Sequence, residues 1–444
     1  MSVKRALVAS TVMAAMLLAT ACGGGGKSAG QTENGEKGQP SAPDITKTPA
    51  ELNFFTMAGD TDEVFNERFG NSIRKKFPNY KINYIRAQKG STLPELLAAG
   101  TTIDIYYDSI GNFSEGLLVN KLEYDLSELI KKNSVDLNRF EPTVVDAMKQ
   151  ISGGKMYGLP VYTNNLALFY NKAVFDKFGV PYPKDGMTWD ETLEIARKLN
   201  RTDGDKQYIG LAVSGSHMLR MNQFSLPYVD MQTDKPTIQN EKWRRLYQAT
   251  IIDPAQDAGY KAKITELKNA LPYRDALTKD QYLGMFVFLS QMPFTVPEMK
   301  TMNWEMVALP TFKELQNVGS QSYPSYFTVT SLSKSKEAAM EVLKYLISDE
   351  YQMEISRKGT MPVLKNEAVQ KAYAQDTEYK DKNFASVFYN NFAPISNKSI
   401  YDVAVEKTYT KDIGLIAKGE IDINTAFRNA EEAAAKAIAE AKNK

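Results

Sequence analysis

This 444-residue chain has one cysteine, Cys22, and one histidine, His217. A lone cysteine forms no internal disulfide and no thiolate cage, and a lone histidine excludes a multi-histidine metal centre. A nucleophile–histidine–acid triad would have to run through His217, in Ser214-Gly215-Ser216-His217. No Gly-x-Ser-x-Gly elbow surrounds it, and a loop histidine satisfied by its neighbours is the plainer reading. Asn200-Arg201-Thr202-Asp203-Gly204-Asp205 has the polarity of a calcium loop, but Leu211 stands where the closing glutamate would be. That stretch reads as a turn between helix and strand. Tyr106-Tyr107 could suggest ferric ligation, but adjacent strand residues face opposite sides. Paired carboxylates for glycoside hydrolysis lie far apart in a chain and stay open at this level. No catalytic residue, metal or cofactor is assigned.

Charge is balanced, with 54 basic and 53 acidic residues and a formal net charge of +1. Without a basic excess, nucleic acid is not an expected partner. At 43% hydrophobic and 24% charged the chain can bury real cores, and at roughly 150 residues per domain it suggests two or three of them. Near the start, Lys4-Arg5 precede an apolar run from Ala6 to Leu18, shorter than the roughly 20 residues a membrane span needs. Leu18-Ala19-Thr20-Ala21 and Cys22 complete the layout of a secretory signal. With cysteine directly after the small residue, the segment resembles a bacterial lipoprotein signal, Ala19 standing where leucine is more usual. That resemblance implies removal of residues 1–21 and a lipid, palmitate included, on Cys22. An ordinary signal with an incidental cysteine is the alternative. Residues 23–48 are rich in Gly, Lys, Ser, Glu and Pro and hold no aromatic residue, so they cannot bury enough surface to fold. Residues 22–49 are read as a flexible tether with a reach of roughly 30 Å. Gly23 to Gly26 belong to it rather than to a phosphate loop, which needs a preceding strand.

From about Ala50 the pattern becomes that of a folded α/β protein. Leu52 to Met57 reads as a buried strand, and Phe65, Phe69, Ile73 and Phe77 follow on one helix face. Tyr80 to Arg86 is a strand, Leu93 to Ala99 a short helix and Ile103 to Tyr107 a third strand. Strand–helix–strand–helix–strand implies parallel pairing with right-handed crossovers, and ligands of such sheets gather at the carboxyl ends of strands. Those ends carry Asp60 and the run Asp108 to Asn112. Further on, Leu166 to Tyr170, Tyr208 to Val213, Met285 to Leu289, Met306 to Leu309 and Tyr326 to Thr330 read as strands. Thr188-Trp189-Asp190-Glu191 is a capping box opening a helix. No internal repeat is visible, which argues against solenoids and propellers.

Gly154-Lys155-Met156-Tyr157-Gly158-Leu159-Pro160, Leu168-Phe169-Tyr170-Asn171-Lys172 and Thr188-Trp189-Asp190-Glu191 stand in this order. Later come Leu309-Pro310-Thr311-Phe312, Ser333 to Ile347 with Asp349-Glu350, Gly359-Thr360-Met361-Pro362-Val363, and Gly419-Glu420 to Ala435. Together they resemble the landmarks of the extracellular solute-binding proteins of ABC importers, in the carbohydrate group that includes maltodextrin-binding proteins. The resemblance implies an α/β fold of the two-lobe periplasmic-binding-protein type (type II), its lobes joined by a multi-crossing hinge. Lobe one would hold residues 50–163 and 325–375, and lobe two residues 166–312 and 376–444. The crossings would lie at 163–166, 312–325 and about 375. The implied protein is a monomeric, non-enzymatic carrier, lipid-anchored on the extracellular face of the cell membrane. It would bind a sugar or oligosaccharide in the interlobe cleft and pass it to a membrane permease.

A sugar site needs aromatic platforms for ring faces and planar polar groups for hydroxyls. On the resemblance, Asp60 is a polar ligand contact, or else a helix N-cap. Asp108 and Asn112 after the third strand pose the same choice. Tyr162 and Asn164 occupy the first crossing, with Asn164 where maltodextrin-binding proteins use a carboxylate. Phe294, with Trp304 as the lesser candidate, is the stacking aromatic of lobe two. Tyr323 and Tyr326 bracket the second crossing, and Tyr401 aligns with a further platform. Core packing is the alternative for each of these aromatics; Tyr170 and Trp189 are read as structural. Two other functions stay in view: the same scaffold binding a peptide, polyamine or metal complex, and a secreted carbohydrate-active enzyme.

Overall fold

Runs of aromatic and aliphatic residues set the sheet cores. Leu52, Phe54 and Phe55 are fully buried, as are Leu283, Met285 and Phe286 in a later run. The computed structural model describes residues 45–443, which lie in one compact unit. In chain order the strands are β1 Ala50–Thr56, β2 Tyr80–Arg86, β3 Ile105–Ser109, β4 Leu159–Tyr162, β5 Leu166–Asn171, β6 Arg201–Asp203, β7 Lys206–Val213, β8 Val229–Asp230, β9 Lys235–Pro236, β10 Leu283–Leu289, β11 Trp304–Ala308, β12 Val318–Gln321, β13 Ser325–Val329 and β14 Asn391–Ala393.

Two five-stranded sheets result, in the orders β2-β1-β3-β13-β4 and β11-β5-β10-β7-β6. In the first, β1 pairs in parallel with β2 and β3, as the alternating strand and helix pattern predicts. The late strand β13 inserts antiparallel between β3 and β4. In the second, β10 runs parallel to β7 and antiparallel to β5. Each sheet has its own apolar core, one built around Phe54, Phe65, Tyr107 and Phe327, the other around Phe169, Trp189, Trp243 and Phe286. This is the two-lobe α/β architecture.

The chain passes between the lobes between β4 and β5, and again between β11 and β13. Farther on, Val363 and Leu364 lie in the first core, while Tyr373, Tyr379 and Phe384 lie in the second. Bonds from the Thr163 amide to the Met361 carbonyl (3.0 Å) and from the Tyr323 amide to the Asn164 carbonyl (2.7 Å) tie the crossings together.

Several details differ from the reading of the sequence: Arg201–Asp203, read as part of a turn, is the edge strand β6 paired with β7. The helix carrying Phe65, Phe69 and Ile73 is interrupted by a π turn over Asn66–Gly70. Residues at a strict four-residue step drift by about 40° per step around an α-helix, and a wider turn brings them back to one face. Ordered structure also begins before Ala50. Ile45–Lys47 forms a short turn, and the Ile45 carbonyl accepts a 3.2 Å bond from the Tyr80 hydroxyl. Cys22 and the signal segment lie outside the described residues.

Candidate functional site

Asp108 stands next to the last residue of β3 on the first lobe and is 3% exposed. Its carboxylate accepts bonds from the Ser109 amide (2.7 Å), the Thr56 hydroxyl (3.3 Å), the Tyr106 hydroxyl (3.3 Å) and the Asn112 amide (3.4 Å). Burial outweighs these donors and pushes its pKa up to about 6. Beside it, the Ser109 hydroxyl donates to the Tyr323 hydroxyl oxygen at 3.2 Å. Arg220 of the second lobe donates to the same oxygen at 3.1 Å, and grips Glu406 with two further bonds of 2.7 and 2.6 Å. The Tyr228 hydroxyl adds a 3.1 Å bond to Glu406. A polar chain therefore runs from lobe one through the second crossing into lobe two. A methyl group at Gly111 would overlap the Tyr323 hydroxyl, so a side chain there would push that hydroxyl aside.

Around this chain the lobes leave two hollows. One, of about 480 Å³, is lined by Ser114, Leu118, Gln150 and Ile151 from lobe one and by Met231, Lys398 and Tyr401, among others, from lobe two. The other is a recess of about 20 Å³ between Gly111, Asn112, Arg220, Lys398, Asp402 and Glu406.

A third cavity, of about 560 Å³, is lined by Glu67, Arg68, Gln291, Phe294, Lys358 and Gly359, among others. The Arg68 guanidinium lies 4.6 Å from the Tyr162 ring centroid and 3.7 Å from Asp60. Phe294 stacks on Phe384 at 5.4 Å between centroids. Gly359 has φ +86°, and a side chain there would strike the Phe294 ring; both constraints call for glycine.

The expected site residues thus fall into separate groups. Asp108, Asn112, Tyr323 and Tyr401 gather around the first two hollows. Asp60, Tyr162 and Phe294 gather around Arg68 and the third cavity. Asp60 is not the N-cap of the following helix; Thr61 takes that place. Tyr326 is a correction: it is fully buried in the first core and its hydroxyl donates to the Val144 carbonyl at 2.6 Å. β13 runs through the middle of the sheet, so its side chains face the core layers and not the cleft. Trp304 is likewise wholly buried, with its indole N–H on the Met299 carbonyl. Asn164 is 5% exposed, and its side-chain oxygen is already used by the Ser290 hydroxyl (2.8 Å) and the Asn165 amide (3.0 Å). Asn164→Ala should therefore destabilise the unliganded protein by about 1–3 kcal/mol, since it leaves buried Ser290 without its acceptor. Urea denaturation measures this, and an unchanged midpoint would return Asn164 to the wet cleft.

The sequence reading missed Arg220, Glu406, Ser114, Lys398 and Asp402. Arg220 and Glu406 are 186 positions apart, and no local pattern links them. His217 shares a 2.7 Å hydrogen bond with Ser214. Burial, with Arg220 nearby, lowers its pKa to about 4, so it stays neutral at pH 7. Among the described residues no carboxylate hydrogen-bonds its ring, so nothing would hold the imidazolium form a triad needs. Among the described residues there is also no group of three or more His, Cys, Asp or Glu placed to hold a metal ion, and no helix is long and apolar enough to cross a membrane.

The family model described as bacterial extracellular solute-binding protein matches residues 58–353. A curated binding protein of Brucella abortus is 25% identical over 288 residues, covering 60% of this chain; the chain spans 65% of that relative's length. Among solved structures, a sugar transporter from Rhizobium etli in an open conformation superposes with a TM-score of 0.70 at 20% identity. That match covers 86% of this chain and 98% of the other. The sugar-binding protein MalE of Xanthomonas citri gives 0.67 at 14% identity, over 88% and 98% of the two chains. A Listeria monocytogenes ABC substrate-binding protein in complex with cycloalternan gives 0.66 at 18%, over 88% and 99%.

Proposed function

This chain belongs to the bacterial extracellular solute-binding protein family, and from that premise we propose that it captures a sugar or oligosaccharide between its lobes and delivers it to the permease of an ABC importer. The observation that carries the reading is the seam itself. Two α/β lobes, tied by crossings at Asn164 and Tyr323, share hollows lined from both sides by hydrogen-bonding groups, with an aromatic ring of lobe two, Phe294 or Tyr401, in each. Such a seam suits binding and release through domain closure, and closure follows from tighter binding to the closed state. Nothing in the reading asks for bond cleavage, so the protein acts as a carrier and not as an enzyme. Lobe limits at 50–163 with 325–375, and at 166–312 with 376–444, belong to the same reading. So do action as a monomer and anchoring on the outer face of the membrane by a lipid on Cys22. Asp108, Asn112, Tyr323 and Tyr401 are its ligand-facing residues, with Asp60, Tyr162 and Phe294 at the Arg68 cavity.

The test is a thermal-shift screen over neutral mono- and oligosaccharides, including cycloalternan and mannobiose, which similar structures hold. Hits are followed by calorimetry and small-angle scattering. A cognate sugar should raise the melting temperature and reduce the radius of gyration. Tight binding without a change in scattering would remove closure from the reading, and turnover of the sugar would replace carrier with enzyme. In the same cells, Cys22→Ser should move the protein out of the membrane fraction; unchanged fractionation would remove the anchor.

A further inference from the structure

The second crossing is gripped from both sides over residues 321–324. The Gln321 amide donates to the Met221 carbonyl of lobe two at 3.0 Å, and the Ile110 amide of lobe one donates to the Pro324 carbonyl at 2.8 Å. Between these grips stand only Ser322 and Tyr323. Both are themselves engaged. The Ser322 hydroxyl lies 3.1 Å from the Thr143 hydroxyl of lobe one, and the Tyr323 amide donates to the Asn164 carbonyl in the neighbouring crossing. Turning one lobe against the other must be absorbed by backbone torsions at a few such residues.

The Tyr323 side chain spans the same gap. It is half-buried, and among the described residues it alone packs against both cores. Its hydroxyl oxygen accepts from Ser109 of lobe one at 3.2 Å and from Arg220 of lobe two at 3.1 Å, and the Arg220 guanidinium lies 5.6 Å from its ring centroid. Arg220 is fixed in turn by its two bonds to Glu406, so the lobe-two end does not swing freely. Both bonds are near the long end of the normal range, and a shift of roughly an ångström in either partner breaks one of them. Beside this point the lobes nearly meet. The recess between Gly111 and Asn112 on one side and Arg220 and Glu406 on the other measures about 20 Å³, room for about one water.

We infer that Tyr323 braces the hinge: its hydroxyl, held by Ser109 on one side and Arg220 on the other, biases the two lobes toward the interlobe angle of this structure before any sugar arrives. Turning a lobe about the second crossing costs at least one of the two bonds, so wider angles are populated less. Two hydrogen bonds tilt such a balance without fixing it, and a sugar can still draw the lobes further together. The affinity a sugar shows then depends on the share of molecules already near the binding angle. Tyr323 is on this account a positioning residue that acts through the lobes. The inference goes beyond the carrier reading and rests on it only where sugar enters the test.

The test records small-angle scattering of the unliganded wild type, Tyr323→Phe and Ser109→Ala, with melting curves to check that each is folded. Tyr323→Phe keeps the ring against both cores and gives up only the hydroxyl. Its unliganded radius of gyration should exceed that of wild type, and Ser109→Ala, which frees the lobe-one end, should move the same way. A saccharide that shifts wild-type melting in the screen above should return both variants to the liganded wild-type radius. Its affinity for Tyr323→Phe should be lower by about tenfold. An unliganded radius equal to that of wild type in either variant overturns the brace, and an affinity loss with an unchanged radius makes Tyr323 a sugar contact alone. If no saccharide binds wild type, the carrier reading falls, and the scattering of the unliganded proteins still decides the brace.

Discussion

Arg220→Ala is expected to lower the unfolding free energy by about 3 kcal/mol, the lower end of the range for removing one half of a buried ion pair. The Arg220 and Glu406 side chains are 29% and 13% exposed, so the pair is well shielded from solvent. Two charge-assisted bonds converge on Glu406 from Arg220, and only the Tyr228 hydroxyl would remain. Most of the loss is the cost of a carboxylate left nearly dry. Replacing both residues, as Arg220→Met with Glu406→Met, should therefore recover much of it. The arginine also bonds Tyr323, which Ser109 holds from lobe one, so the single variant should weaken sugar binding as well. Urea denaturation of the single and double variants at neutral pH settles the matter. A loss below about 1 kcal/mol would place the pair among exposed ion pairs of little consequence.

Tyr326→Ala should be at least as damaging, at about 3–5 kcal/mol, the usual cost of emptying a buried aromatic site. The ring is fully buried, packs against Phe113 at 5.4 Å between centroids, and anchors its hydroxyl on the Val144 carbonyl. Tyr326→Phe keeps the ring and gives up only that bond, so about 1 kcal/mol is expected. Both variants, once folded, should bind sugar with wild-type affinity. Melting curves beside titrations separate the two possibilities. A Tyr326→Phe protein of normal stability that no longer binds would return this residue to the cleft and overturn its place in the core.

These two cases show where reading the chain succeeds and where it stops. Strand β1 and its parallel partners are legible because a buried parallel strand is a near-continuous apolar run, and because strand and helix alternate at short range. The capping box at Thr188 is equally local: the Thr188 amide donates to the Glu191 carboxylate at 2.7 Å, and the Glu191 amide donates to the Thr188 hydroxyl at 3.3 Å. Asp108 and Asn112 are candidates at this level because ligands of such sheets gather at strand ends. Tyr326 could not be told from a cleft residue: an aromatic beside a crossing has the same pattern whether it faces a core or a ligand.

Residue order alone therefore decided the α/β class and, to within about two residues, the first three strands of lobe one. Periodicity, capping and chain-order landmarks act within a few turns, and they survive without knowledge of the partner. Tertiary structure alone decided which groups are short of partners. Arg220 meets Glu406 across 186 positions, Asn164 spends its oxygen on Ser290, and Asp402 is buried with one oxygen unpartnered. Such facts depend on which side chains folding leaves opposite one another. Hydrogen bonds and desolvation act over a few ångströms of space, whatever the distance along the chain.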